Sequence, residues 1–303
     1  LLTLLVFLPL SGFAQKPQPD PHLGYLYPAG GQQGTTFILF AGGQFLRGTN
    51  RVVVSGEGVT ARVIRHYRPL RNLDAVQRRE LAKRLLEVWN ERLTELPLGE
   101  RQQLSAANAL QLAKGRKAAA GTGLLPVELP DHPLINSIPQ MNLWQVVYAA
   151  RELEEYRKRQ RNAQIAELLE IEVVIDANAA PGDRELRLGR PAGLSNPLCF
   201  QVGALPETRE QEPNDPGGKW KLPEQPPVSL PATVNGQMSP GDVDRIRFQG
   251  RKDQQLVVDV AARRLIPYLA DAVPGWFQAV VAVYDSEGKE LAYADDYRFN
   301  PDP

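Results

Sequence analysis

The chain has 303 residues, of which 43% are hydrophobic and 23% charged, the composition of an ordinary globular protein of about two domains. Its 35 basic and 35 acidic side chains cancel, so the chain lacks the basic footprint of a nucleic-acid-binding protein, and no nucleic-acid partner is predicted. The single cysteine, Cys199, excludes a disulfide within the chain, and only three histidines accompany it, which nearly excludes a Cys/His zinc site.

The first ten residues are almost entirely apolar, and the small residues Gly12 and Ala14 precede a polar, proline-rich stretch. This pattern predicts a secretory signal peptide at residues 1–14, with its charged start missing, and a linker at residues 15–23. The run is too short for a helix that crosses a bilayer of about 30 Å, so no transmembrane span is expected in the mature chain. We therefore expect an exported protein that is periplasmic, at the cell surface or secreted; a buried N-terminal strand or helix is the alternative.

Residues 24–65 consist of β-branched and aromatic runs separated by glycine-rich turns at 30–31 and 42–43, and similar strand-like sequence returns at residues 168–204. Neither stretch has enough strands to bury a sheet on its own. The two are therefore predicted to form one antiparallel β-sandwich, interrupted by a helical insertion at residues 66–167. The alternative is a series of three independent domains.

The insertion is predicted to be helical because apolar residues recur with a helical period between residues 72 and 96. Asn72 is placed to cap this helix and Pro97 to end it. A second helix is predicted over residues 101–114. Aromatic residues of the insertion leave open a partner-binding helical hairpin as an alternative to a purely structural role. These residues are Trp89, Trp144 and Tyr148.

A third helix is predicted to begin at Ser137 and to run toward Gln164. Ser137 is followed three residues later by Gln140, the spacing of a capping box. The loop before this helix is rich in Gly, Ala and Pro, which favour turns over regular structure.

Residues 205–231 contain seven prolines with Glu and Gln between them, which predicts an extended, semi-rigid acidic linker. Residues 232–303 then carry further strand-like runs separated by turns, which predict a second, partial β-sandwich or jelly roll. We expect the chain to be a fragment that stops inside this domain. The strands are predicted at residues 232–237, 243–248, 255–261, 277–284 and 290–294.

Two acidic stretches, one in the linker and one after a Pro-Gly turn, form a candidate metal site. In an extended chain alternate side chains share a side, so most of these groups can point the same way. Ligands that offer only oxygen suit a hard cation, calcium before magnesium. A solvated acidic linker without a ligand is the alternative. The candidate ligands are Glu210, Glu212, Asn214, Asp215, Asp242 and Asp244.

No catalytic constellation is found in the sequence. Ser195 lacks the final glycine of a nucleophile elbow, and no histidine follows it in the chain. The glycine-rich stretch at residues 30–34 leads into a strand, so it lacks the helix N-terminus of a phosphate site. Cys199 lies in an apolar run typical of a buried, inert thiol. We therefore predict no catalytic residues and no enzyme in this chain.

The motifs around the acidic set resemble the bacterial pre-peptidase C-terminal domain, a β-sandwich found beside secreted peptidases and in other exported proteins. The resemblance covers residues 210–303. In collagenase-type relatives such domains bind calcium through the acidic linker and the Gly-Asp turn, which implies ligand roles for the candidate residues; Asp242 lies in a turn whose spacing differs among relatives. The motifs are Glu-Gln-Glu-Pro-Asn-Asp at 210–215, Val-Asn-Gly at 234–236, Gly-Asp-Val-Asp at 241–244, Tyr-Asp at 284–285 and Asp-Asp at 295–296.

The first β region is similar to Ig-like domains of the IPT/TIG type in its motifs at residues 27–31, 42–46, 54–56 and 181–184, although a helical insertion departs from that layout. The whole arrangement resembles large surface proteins of planctomycete-like bacteria. The predicted fold is thus mainly β: an Ig-like β-sandwich interrupted by an α-helical hairpin, then a partial jelly roll or β-sandwich.

The predicted function is noncatalytic adhesion or substrate targeting by an exported protein, with an extracellular protein or polysaccharide as the ligand and calcium as the cofactor. The alternative, of a different class, is an accessory region of a secreted hydrolase, a peptidase above all, whose catalytic domain lies beyond residue 303.

Overall fold

The fold was analysed in a computed structural model. It describes residues 19–70, 73–98, 101, 126–158, 162–191, 193–212, 214, 226–238, 243–265, 278–298 and 302–303. In these ranges the chain is mainly β, with thirteen strands in four sheets, three α-helices and several short 3-10 turns. The predicted β-rich class with a smaller helical content is confirmed.

The first sheet has four antiparallel strands in the order β1-β3-β6-β5. The second has the order β2-β9-β7-β4, with β8 beside β7, and its β2–β9 pair is parallel. The strands of the first sheet are β1 (His22–Tyr27), β3 (Thr36–Gln44), β5 (Val59–Tyr67) and β6 (Glu167–Ile175). Those of the second are β2 (Gly30–Gln32), β4 (Arg51–Val54), β7 (Gly182–Arg190), β8 (Gly193–Leu194) and β9 (Leu198–Gly203).

Side chains from both sheets form one buried apolar cluster, and we refer to the two sheets as the N-terminal sheet pair. The central strand β6 buries every second residue, as a strand with one face on a core must. Complete burial of one such aliphatic side chain stabilises the fold by about 1.5–3 kcal/mol. The buried β6 residues are Leu169, Ile171, Val173 and Ile175.

Three helices lie between β5 and β6 in the chain: α1 (Ala75–Thr94), α2 (Pro133–Asn136) and α3 (Leu143–Lys158). They form a second apolar cluster, in which Trp89 is 2% exposed. Strands β5 and β6 are direct neighbours, and Tyr67 is paired with Leu168, so the chain leaves and re-enters the sheet at adjacent positions.

The helix predicted over residues 72–96 is present, but its cap was predicted at the wrong residue. Asp74 is the N-cap: its carboxylate accepts the backbone N–H groups of Val76 and Gln77, and the Gln77 side chain accepts the Asp74 N–H. This is a complete capping box, which satisfies donors that a helix start otherwise leaves open. The candidate cap Asn72 and nearly all of the predicted helix at 101–114 lie outside the described residues.

The third predicted helix begins six residues later than expected. Ser137 makes no side-chain cap bond, and the turn that follows it ends at Met141, whose backbone is extended. Asn142 caps the start of α3, because its side-chain oxygen accepts the N–H groups of Trp144 and Gln145. Asn142 is followed three residues later by Gln145, the same spacing as Ser137 and Gln140, so spacing alone does not distinguish the two positions.

After the N-terminal sheet pair the strands are short. Strand β10 (Glu207–Arg209) pairs in parallel with β11 (Thr233–Asn235), and β12 (Val281–Tyr284) forms a hairpin with β13 (Glu290–Ala294). Strand β10 lies in the segment predicted as a linker, which is therefore not only a spacer.

Two strands predicted in this region are not formed, and earlier in the chain two glycine-rich turns were predicted wrongly. Of residues 243–248 only Phe248 makes a bridge, to Val228, and residues 255–261 form no strand. Val257 is 79% exposed, so burial of its side chain does not stabilise a strand at this position. Residues 30–31, predicted as a turn, belong to β2, because the ladder with β9 satisfies their backbone groups. Residues 42–43, also predicted as a turn, belong to β3, where they pair with both β1 and β6.

Candidate metal centre

The parallel pair of β10 and β11 positions the first candidate ligand. Glu210 directly follows β10, and its backbone N–H donates to the carbonyl of Asn235 at 2.9 Å. Its carboxylate atom Oε1 accepts the backbone N–H of Gln237. These two bonds, one from the main chain and one to the side chain, hold the Glu210 carboxylate over the end of β11.

Three of the predicted carboxylates meet at this point. Glu210, Glu212 and Asp244 each offer one oxygen, and the three oxygens lie within 4.8 Å of one another. Asn214 lies beside this group, and its backbone N–H donates to Oε2 of Glu212 at 3.0 Å. When all three carboxylates are ionised, their charges repel one another at this distance, and a bound cation would relieve that repulsion.

Several oxygens of the group are buried and accept no hydrogen bond from the part of the chain that the structure describes. They are Oε2 of Glu210, Oδ1 of Asn214 and Oδ1 of Asp244. Burial of such polar atoms without a partner costs free energy. A cation coordinated by these atoms would offset that cost, so the residues present are compatible with a metal ion.

Gly236, the residue after β11, allows the carboxylates to approach. A Cβ atom at this position would lie 2.8 Å from Oε2 of Glu210 and 3.2 Å from Oδ2 of Asp244. The first of these distances is shorter than any ordinary contact of a Cβ atom. A larger residue at position 236 would therefore displace the carboxylates from their present positions.

The charges of the site shift two pKa values. Burial, together with the neighbouring carboxyls of Asp244 and Glu212, raises the pKa of Glu210 to about 8, against the lowering effect of the Gln237 N–H. When Glu210 is protonated, it can share that proton with Asp244. Burial and the Glu210 charge also raise the pKa of Tyr27 to about 12, with Arg209 acting in the opposite direction.

The donor set determines which metal ions suit the site. Carboxylate and amide oxygens are ligands of hard cations, and Ca²⁺ accepts six to eight of them in irregular geometry, with water completing the shell. Neither sulfur nor imidazole belongs to the group, whereas zinc sites in proteins are built mainly from those ligands. The donor set is therefore of the kind that suits hard cations such as Ca²⁺.

Of the six candidate ligands, the structure brings Glu210, Glu212 and Asp244 together and places Asn214 beside them. Asp215 and Asp242 lie outside the described residues. Sequence reasoning gave no role to Tyr27, which is close enough to feel the carboxylates although it is more than 180 residues away in sequence. No local pattern in the sequence could have found it.

Ser195 and Cys199, the other side chains considered for reactivity, lie in surroundings that suit a structural role. Oγ of Ser195 accepts the N–H of Leu188 at 2.9 Å and donates to the carbonyl of Asn196 at 2.7 Å. Burial, and secondarily the charge of Asp183, raises the pKa of the Cys199 thiol to about 11. A thiol with such a pKa is almost entirely protonated near neutral pH, and the thiolate is the reactive form.

No family model, curated protein or solved structure matches this chain. The likeness to pre-peptidase C-terminal and Ig-like domains therefore stays a prediction from sequence motifs. In the described part of the chain no helix has the length and apolar character needed to cross a membrane.

Proposed function

We propose that this chain is a noncatalytic binding region of an exported protein, of the adhesion or substrate-targeting kind, and that a bound calcium ion stabilises it. The observation that carries the proposal is the convergence of the Glu210, Glu212 and Asp244 carboxylates at a point where Oε2 of Glu210 and Oδ1 of Asp244 are buried and accept no hydrogen bond from the described residues. Carboxylate oxygens grouped in this way can coordinate a hard cation.

We further propose a finer architecture: an Ig-like β-sandwich with a helical insertion, followed by a sandwich of the pre-peptidase C-terminal type. The shared apolar cluster of the N-terminal sheet pair supports the first part. The adjacent exit and re-entry of the chain at Tyr67 and Leu168 supports the insertion. The three carboxylates that meet are all residues of the predicted calcium-binding motifs, which supports the last part.

A location outside the cytoplasm agrees with a site of this kind. Its three ligand residues are only partly buried, and calcium sites of extracellular modules work at dissociation constants of roughly 10⁻⁴ to 10⁻³ M. Calcium at such concentrations is found outside cells. The apolar run in residues 1–14 is the sequence support for export.

The β12–β13 hairpin supplies the surface that we propose for an extracellular protein or polysaccharide. Three tyrosines in or near it are more than half exposed, and exposed aromatic rings offer both an apolar face and a polar tip to a ligand. Ala282 is paired with Tyr293 across the hairpin, so a small residue leaves that ring uncovered on one side. The three tyrosines are Tyr284, Tyr293 and Tyr297.

The proposal is tested by calorimetric titration of the purified protein with calcium. We expect one ion per chain, and at least a tenfold loss of affinity in Asp244→Asn, because one charged ligand is removed. Glu287→Gln, which neutralises an exposed carboxylate in the β12–β13 turn, is the matched control and should bind as the wild type does. Absence of binding in the wild type would overturn the calcium site.

The noncatalytic part has a separate test. Hydrolysis of a peptide or polysaccharide by the purified protein, abolished by a single substitution within the chain, would contradict it.

A further inference from the structure

The N-terminal sheet pair reaches the metal centre through Tyr27, the last residue of β1. The Tyr27 hydroxyl donates to the carbonyl of Asn235 at 3.5 Å, across 208 positions of sequence. That same carbonyl accepts the N–H of Glu210. One backbone oxygen thus joins the edge of the first sheet to the backbone of a candidate ligand.

Arg209 makes a second connection from the residue directly before Glu210. Its Nη2 donates to the carbonyl of Ile38 on β3 at 2.5 Å, and its guanidinium carbon lies 5.9 Å from the centre of the Tyr27 ring. Arg209 therefore connects β10 to both β1 and β3 of the N-terminal sheet pair. Its peptide bond to Glu210 couples its position to that of the candidate ligand.

The electrostatic surroundings of Tyr27 agree with this geometry. The charges of Glu210, Asp244 and Glu212 all act on its hydroxyl, so the carboxylates lie near the end of β1.

We infer that Tyr27 and Arg209 are positioning residues of the metal centre, and that the bound cation fixes the β10–β11 pair against the N-terminal sheet pair. The inference rests on the proposed calcium site. A cation that immobilises Glu210 also immobilises Arg209 and its bond to Ile38. Linkage makes the effect reciprocal: docking of the β10–β11 pair strengthens cation binding by the same factor as the cation strengthens docking.

Arg209→Met tests the inference because a pure charge effect and a loss of positioning change the calcium affinity in opposite directions. Removal of a positive charge near a cation site strengthens cation binding by itself. Loss of the bond to Ile38 weakens it, and coupling free energies between sites correspond to roughly 5- to 150-fold in affinity. We expect Arg209→Met to bind calcium at least about fivefold more weakly than the wild type, measured by calorimetry.

Arg209→Lys keeps the charge and can supply one donor to the Ile38 carbonyl, so it should recover most of the affinity. Arg62→Met, which removes an exposed arginine paired with Glu172 on the first sheet, is the control and should leave calcium affinity unchanged. Melting of the calcium-free variants should match the wild type, since a general structural defect would lower it.

A second variant keeps the test decisive if Arg209→Met does not fold. Tyr27→Leu removes the ring and hydroxyl while keeping an apolar side chain, and it should also lose at least about fivefold in calcium affinity. Tyr27→Phe keeps the ring and should retain more of it.

The outcomes separate the inference from the function on which it rests. Calcium binding in the wild type with equal or tighter binding in Arg209→Met, or in Tyr27→Leu if that variant is needed, overturns the positioning role and leaves the calcium site standing. No calcium binding in the wild type overturns both.

Discussion

The N-terminal sheet pair and the described part of residues 226–303 contain similar β-rich sequence but are stabilised differently. In the sheet pair, strands of up to nine residues bury alternate side chains completely, as Ile171 and Phe200 do. In the later region the assigned strands have five residues or fewer, and apolar side chains such as Val257 and Leu291 are mostly exposed, at 79% and 60%. Apolar burial therefore accounts for the first region and contributes much less to the second.

The comparison explains where the candidate chemistry lies. Two-stranded sheets are marginally stable on their own, so a region built from them depends on other interactions. The carboxylates of Glu210, Glu212 and Asp244 connect β10 to the segment that follows β11. A cation bound there joins parts of the chain that apolar packing does not hold together.

The largest expected effect is a loss of stability in the N-terminal sheet pair. Phe200→Ala removes a fully buried ring from the shared cluster and should lower the free energy of unfolding by about 3–5 kcal/mol, measured by denaturant titration. Val257→Ala, at an exposed position of the later region, is the control and should change it by less than about 0.5 kcal/mol. Similar losses in both variants would contradict the difference between the two regions.

A smaller effect is expected in the weaker region from Gly236→Ala. The added methyl group would lie 2.8 Å from Oε2 of Glu210, so the carboxylates must move apart. We expect at least a tenfold loss of calcium affinity, about 1.4 kcal/mol, in a calorimetric titration. Gly250→Ala, where an added Cβ would meet only the Phe248 ring at 3.9 Å, is the matched control. Unchanged affinity in Gly236→Ala would mean that the cation is not bound between these carboxylates.

The smallest effect concerns pH. The pKa of Glu210 is raised from 4.5 to about 8, so the folded, calcium-free protein keeps a proton that the unfolded chain loses above its lower pKa. The resulting stabilisation is complete below about pH 4.5 and is lost as the pH rises through about 8. Because Glu210 is only half-buried and screened by solvent, we expect a fall of about 1–2 kcal/mol between these limits.

Denaturant titrations of the calcium-free protein across this pH range measure the effect. Glu210→Gln should abolish the fall, and the control Glu287→Gln should retain it. A slope that persists in Glu210→Gln would assign the pH dependence to another group.

Local sequence patterns predicted what each segment does by itself. The alternating apolar residues of β6 and the helical period behind α1 were interpreted correctly, because burial of one face determines both patterns. They could not predict which segments meet. The strand expected at residues 243–248 contains β-branched and aromatic residues typical of strands, yet only Phe248 has a bridge partner in the described chain.

The candidate site divides in the same way. Glu210 and Glu212 could be selected because an extended backbone directs alternate residues to one side. The contact of Tyr27 with Asn235 depends on tertiary packing across 208 residues, which no local spacing encodes. The effect of a larger residue at position 236 also follows only from the closeness of two carboxylates that are 34 residues apart in the chain.

The most direct test of the account is the thermal unfolding of wild type and Asp244→Asn in calcium and in excess chelator. Binding to the folded state alone stabilises it by about 2.7 kcal/mol at a calcium concentration 100 times the dissociation constant. We expect a calcium-dependent rise of the melting temperature in the wild type that the chelator reverses and that Asp244→Asn loses. A melting temperature that calcium does not change, or one that rises equally in Asp244→Asn, would contradict it.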